Sequence, residues 1–188
     1  MLIEILGLLL GTASQLMTLA FLARLWMQWT RAPFRQPLGQ FLLTLTDWAV
    51  LPLRRWLRGL WGIDWASVLA AWLVQLVYLA IMTSLTGLVL FGAGGVLGVA
   101  LLALLAVVKS FVYLLMGVII IAALLSWINP YSPLGPLFET LARPLLAPLR
   151  RFLPAVGGID LSPLVALLLL QVVLIVLGHV QPLGLLLP

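Results

Sequence analysis

The chain has 188 residues, 64% of them hydrophobic and only 8% charged, with a net charge of +5. A soluble domain carries about 25% charged residues, because a small fold must cover a large surface. A water-soluble globular enzyme is therefore excluded, and so is a disordered chain, which needs low hydrophobicity and high charge. Cysteine is absent and His179 is the single histidine, so disulfides, thiolate-held metals, iron–sulfur clusters and two-histidine metal motifs are excluded as well. The basic excess sits beside long apolar runs, where arginine sets membrane topology and meets anionic lipid rather than nucleic acid.

About 20 apolar residues cross a ~30 Å hydrocarbon core as a helix. The first predicted span runs from Leu2 to about Trp29 and reads as uncleaved, since no basic region precedes it. Gly7 and Gly11 sit four apart in it, with Thr12, Ser14 and Gln15 nearby, a face suited to close helix packing. A second span is expected near Trp65 to Leu90. The glycine cluster Gly92 to Gly95 reads as a turn, and a third span follows near Lys109 to Ile128. Residues 96–108 extend that helix or form a short interfacial piece. The fourth span runs from about Leu161 to Gly178. All nine arginines lie at the end of the first span or in two segments, 30–64 and 129–160. Two spans separate these segments, so both fall on one side, which the positive-inside rule makes cytoplasmic with the termini outside.

The chain repeats at an offset of 96 residues: Pro37-Leu38-Gly39 recurs from Pro133, Pro52-Leu53-Arg54-Arg55 from Pro148, and Gly62-Ile63-Asp64 from Gly158. Two units, 1–92 and 97–188, each read as span, amphipathic segment, span. Entering the membrane from one side, they are parallel repeats. Between Leu38 and Trp61 apolar residues recur at helical spacing, while Asp47, Arg54, Arg55 and Arg58 share the other face. Residues 134–153 repeat the pattern, and both segments are expected to lie in the interface plane. Pro52 and Pro148 are expected to break or kink them. The fold class is thus all-α integral membrane, with four transmembrane helices in two parallel repeats, each carrying an in-plane amphipathic cytoplasmic helix.

Arg24-Leu25-Trp26-Met27-Gln28-Trp29, the two Pro-Leu-Arg-Arg segments, Gly157-Gly158-Ile159-Asp160 and Leu125-Ser126-Trp127 resemble the YggT/YlmG family of small membrane proteins across nearly the whole chain. The first copy departs from the double glycine, reading Trp61-Gly62-Ile63-Asp64. The resemblance implies a multi-pass protein of the bacterial inner membrane. Members in photosynthetic organisms are tied to haem attachment on cytochrome b6, and bacterial members to osmotic response or division.

The candidate residues each carry a bland reading beside a functional one. Asp64 and Asp160 begin spans and read as helix N-caps, with proton or cation handling as the alternative. Arg54, Arg55, Arg58, Arg150 and Arg151 read as contacts for anionic lipid or a partner, or as topology anchors alone. Asp47 and Arg143 are equivalent by the repeat and opposite in charge, so they could pair between repeats across a pseudo-twofold axis. His179 reads as a polar helix end rather than a haem ligand, and the eight tryptophans as aromatic-belt anchors. No enzyme constellation is visible, so no catalytic, cofactor or metal residue is expected. The function expected is a scaffold or assembly factor for membrane complexes, working with anionic lipid and with a membrane partner or further copies of itself. The alternative is a small channel or osmotic transport component, whose polar route would draw on Glu4, Gln15, Gln75, Lys109 and Gln171.

Overall fold

The structure is a computed structural model describing residues 1–56, 64–85, 92–129, 131–152 and 160–179. These form six helices: α1 (Leu2–Trp29), α2 (Pro37–Trp56), α3 (Trp65–Leu85), α4 (Gly92–Ile128), α5 (Gly135–Phe152) and α6 (Ser162–His179). Among the described residues no strand occurs, and four helices are long and apolar enough to cross a membrane: α1, α3, α4 and α6.

The end of α1 is closed by two backbone bonds, Arg31 N–H to the Gln28 carbonyl at 3.2 Å and Ala32 N–H to the Met27 carbonyl at 2.9 Å. They need a left-handed residue at Arg31, which adopts φ 56°. The chain then turns at once into α2.

The small-residue face of α1 finds its partner in α3. A Cβ on Gly7 would meet Met82 Sδ at 3.5 Å, and one on Gly11 the Tyr78 hydroxyl at 3.0 Å. Ser14 and Thr18 continue the same stripe and are buried. Lipid offers no hydrophobic drive between helices, so this close approach and its dispersion contacts hold the pair. The Gln75 amide donates to Thr18 Oγ1 at 3.1 Å, and across to α4 Ser110 donates to Gln15 Oε1 at 3.3 Å.

Contacts in register show the direction of each helix. Gly7 meets Met82 and Thr18 meets Gln75, so α1 and α3 are antiparallel. The Trp72 indole donates to the Ala100 carbonyl at 3.0 Å, while Ala66 and Ala70 pack in a cluster with Val107. Hence α3 and α4 are antiparallel too, and α1 and α4 run in the same sense. Both α2 and α5 follow helices of that sense. They face one another across an apolar cavity of 430 Å³ whose walls include Leu38 and Leu42 of α2, Phe138 and Leu141 of α5, and Gly117 of α4.

Two apolar clusters form the interior. One joins Trp26 and Met27 to Leu42, Ile119, Leu137 and Phe138; the other joins Phe21 and Leu22 to Val50, Ala66 and Ala71. Much of the span surface stays apolar and exposed, as at Leu168, Leu169, Val172 and Val176 of α6. That pattern suits lipid as the solvent.

Several sequence expectations change. Gly92 opens α4 instead of forming a turn, and residues 86–91 lie outside the described residues. Residues 96–108 belong to the same continuous helix. At 37 residues α4 is about 55 Å long, well beyond a ~30 Å hydrocarbon core, so it must tilt or emerge. Pro52, Pro144 and Pro148 are accommodated inside helices. Pro52 and Pro148 stand near their helices' C-terminal ends, where one missing donor interrupts little of the ladder. Trp26 is buried, stacks on Trp29 at 4.8 Å and donates its indole N–H to the Leu141 carbonyl at 3.0 Å, so it is a core bridge between the repeats and no belt residue. On α2 the buried line is Leu42, Thr46 and Val50, while Phe41 and Trp48 are exposed.

Gly39, in the first turn of α2, lies against the backbone of Phe34: an added Cβ would sit 2.7 Å from its Cα and 2.8 Å from its carbonyl oxygen. Backbone cannot swing aside as a side-chain tip can. Gly39→Ala is expected to cost about 1–3 kcal/mol, read as a lower midpoint in denaturing-detergent titration, whereas Gly117→Ala, inside α4 with nothing within 4 Å, should not lower it.

Candidate functional site

Each repeat joins the end of its amphipathic helix to the start of its second span through an arginine–aspartate pair of identical spacing. In the first, Arg54 Nε donates to Asp64 Oδ1 at 3.2 Å and Nη2 to Oδ2 at 2.5 Å. In the second, Arg150 Nε donates to Asp160 Oδ2 at 2.8 Å. In the first repeat the paired donors from one planar guanidinium fix both distance and orientation, whereas Arg150 donates from Nε alone. The pair locks the turn between the elements, which neither N-cap nor lipid contact had suggested.

The cap expectation divides between the two acids. Asp160 Oδ1 does accept the backbone N–H of Ser162, at 2.9 Å, and so caps α6. The Asp64 carboxylate accepts the Ser67 hydroxyl at 2.9 Å and no backbone N–H among the described residues, its oxygens being taken by Arg54, while the Asp64 main-chain carbonyl accepts the Ser67 N–H at 3.0 Å. Burial pushes the Asp64 carboxyl up. The hydrogen bonds from Arg54 and Ser67, with the charges of Arg54 and Arg24, outweigh it and hold the group below the usual carboxylate range. Asp160 is likewise lowered on balance, burial being outweighed by Ser162 and Arg150.

The first junction has a further member. Arg24, five residues before the end of α1, is 3% exposed and donates from Nη1 to Thr46 Oγ1 and Asp47 Oδ1, both at 2.7 Å. Its Nε approaches Asp64 Oδ2 at 3.9 Å without a hydrogen bond. Arg54 also reaches Gln28 Oε1 at 2.9 Å. One guanidinium thus ties α1 to α2 and to the start of α3. The expected pairing of Asp47 with Arg143 does not form: Asp47 is taken by Arg24 of its own repeat, because α2 packs on the end of α1. Arg143 is exposed, with no ion-pair partner among the described residues.

The arginine doublets therefore split. Arg54 and Arg150 hold aspartates, whereas Arg55 and Arg151 are exposed and without an ion-pair partner among the described residues. Arg58 lies outside the described residues. His179 ends α6, its Nδ1 2.8 Å from the Ile175 carbonyl. Gln75 is buried on Thr18, while its repeat counterpart Gln171 is exposed on α6 with no hydrogen bond among the described residues. Lys109 is half-buried near the middle of α4. Sequence reasoning missed Arg24 and Thr46 as site residues. The legible signal was an arginine inside an otherwise apolar span, a position that lipid makes costly unless a partner is at hand.

Four apolar spans, parallel repeats and a charge-locked junction after each amphipathic segment define a multi-pass helical membrane protein. The chain belongs to the CCB3/YggT family, whose model matches twice, over residues 3–85 and 101–181. It is 37% identical over 167 residues to the Escherichia coli K12 protein YggT, covering 88% of this chain and 85% of that one. The Pseudomonas aeruginosa protein PA0392 is 38% identical over 168 residues (88% and 84%). A Vibrio alginolyticus protein named for the proC 3′ region is 34% identical over 176 (92% of each). No solved structure matches.

Proposed function

We propose that the protein is a non-enzymatic scaffold of the bacterial inner membrane that assists assembly of membrane complexes, with α2 and α5 in the interface plane on the cytoplasmic side and the termini outside. The observation that carries this reading is the split within the doublets. Acidic groups neutralise Arg24, Arg54 and Arg150, which leaves Arg31, Arg35, Arg55, Arg143 and Arg151 exposed and without ion-pair partners among the described residues. Each such arginine near an anionic leaflet contributes about 1 kcal/mol of attraction. The exposed apolar arc of α2, with Phe41 and Trp48, suits the acyl boundary beneath those headgroups. Gln171 adds a reason for a partner helix or a second copy, since an amide facing lipid gains by bonding across an interface. The two other glutamines a polar route would use, Gln15 and Gln75, join helices instead, which favours a scaffold over conduction.

Native mass spectrometry of the full chain, extracted from its own membrane in mild detergent, tests the reading. Retained anionic lipid and a second polypeptide of fixed stoichiometry are expected. Arg55→Gln with Arg151→Gln should lose several-fold of the lipid and leave the unfolding midpoint unchanged. Bare monomers, or loss of lipid only together with loss of fold, would overturn it. A cysteine placed at Tyr131, which is 96% exposed, should react only from the cytoplasmic side.

A further inference from the structure

The two junctions differ by a missing side chain. The segment from Trp29 to Pro37 is two residues longer than that from Trp127 to Pro133. Aligning the span ends on these tryptophans therefore sets Ala122 opposite Arg24 and Ser126 opposite Gln28. In α5 and α6 the 96-residue offset sets Ala142 opposite Thr46, Arg150 opposite Arg54, Asp160 opposite Asp64 and Pro163 opposite Ser67. In the first repeat a guanidinium fills the space these positions enclose. In the second, the six counterparts line a cavity of 220 Å³, with Glu139 and Trp127 at its walls.

We propose that this cavity binds a guanidinium or primary ammonium group in the place that Arg24 fills in the first repeat. The charge balance fits: Glu139 and Asp160 face a single cation, Arg150, whose bond to Asp160 is 2.8 Å but whose approach to Glu139 is only 3.9 Å. The lining thus holds one carboxylate more than its cations, and Glu139 makes an ion contact but no hydrogen bond to Arg150. Glu139 has no acidic counterpart in the first repeat, where Leu43 stands. It supplies from α5 the charge that Asp47 supplies from α2, a role Arg143 at the Asp47 position cannot fill. Trp127 is 61% exposed and lines the cavity, and an indole beside a bound cation adds attraction. The counterpart junction is the independent observation: the same fold, at the same place, holds a guanidinium by hydrogen bonds and ion contacts. The group belongs to a lipid headgroup of the ethanolamine type or to a free small cation. The cavity's place, beside the end of a span and the start of another, favours the headgroup.

The experiment is thermal unfolding of the purified full chain in mild detergent, followed by tryptophan fluorescence. Methylguanidinium chloride and ethanolamine hydrochloride are titrated, with tetramethylammonium chloride at equal ionic strength as the control lacking N–H donors. A saturable rise in midpoint is expected with the first two only. Glu139→Gln should weaken the apparent affinity about tenfold, the loss of one charge-assisted hydrogen bond. Ala122→Arg should raise the midpoint without ligand and abolish the response, because it supplies its own guanidinium. No saturable rise, or an equal response in Glu139→Gln, overturns the proposal even if Ala122→Arg fails to fold. Repeating the titration in nanodiscs separates the sources. A response present in choline lipid and suppressed in ethanolamine lipid assigns the headgroup, and an equal response in both assigns a free cation.

Discussion

Arg24→Met is expected to lower the stability of the folded protein by about 2–3 kcal/mol, the loss of charge-assisted hydrogen bonds from a buried guanidinium, discounted because Asp47 is 41% exposed to water. Methionine keeps the length and apolar stem, so little packing is lost. What remains is Asp47 without its cation, Thr46 Oγ1 without its donor at zero exposure, and Asp64 with Arg54 alone. Arg24→Lys should recover less than half of the loss. An ammonium on a flexible stem does not present the fixed fork that meets Thr46 and Asp47 from Nη1 while keeping Nε toward Asp64. Reversible unfolding in mixed micelles, read by circular dichroism against the mole fraction of sodium dodecyl sulfate, measures both. A change below about 1 kcal/mol for Arg24→Met would mean that the cluster is no keystone but a solvated pair.

The apolar run lengths and the arginine placement made four spans legible, because lipid demands long apolar helices and leaves charge at their ends. The repeat made the two-unit organisation legible from proline, arginine and aspartate identities. Side-chain partners were harder to see. Asp47 was matched to Arg143 by register, yet its actual partner, Arg24, is 23 residues away on a different kind of element. A linear offset cannot report which helix ends meet. The Arg54–Asp64 and Arg150–Asp160 pairs were readable in principle, since both members recur at a separation of ten. Reading each aspartate as a cap or a proton or cation handler left the arginine ten residues before it out of account. The apolar residues of α2 divide between a buried line at Leu42 and Val50 and an exposed arc with Phe41 and Trp48, a division that two-state periodicity does not report because it distinguishes only apolar from polar. The Gly92–Gly95 cluster misled because glycine marks turns in water, while lipid tolerates it within helices.

Acid should expose the asymmetry of the two junctions. Asp64 is held below its ordinary value in the folded chain, so the unfolded chain takes up a proton first as the pH falls. Its contribution is therefore complete above the ordinary carboxylate value of roughly 4 and drains away as the pH drops toward the folded-state value beneath it. Asp160 has the same sign, but its side chain is 34% exposed against 3% for Asp64, and water screens its pair with Arg150. Asp64→Asn is expected to cost about 3–5 kcal/mol at neutral pH and to flatten the acid limb of the stability profile. Asp160→Asn should cost about 1 kcal/mol or less and leave most of that limb in place. The same micellar titration, repeated from roughly pH 7 to pH 3, reads both curves. Equal losses would place the two aspartates in equivalent surroundings, against the geometry. A larger loss at Asp64 means that its buried pair with Arg54, with Arg24 beside it, carries the first junction, whereas the more exposed Asp160 pair contributes little to the second.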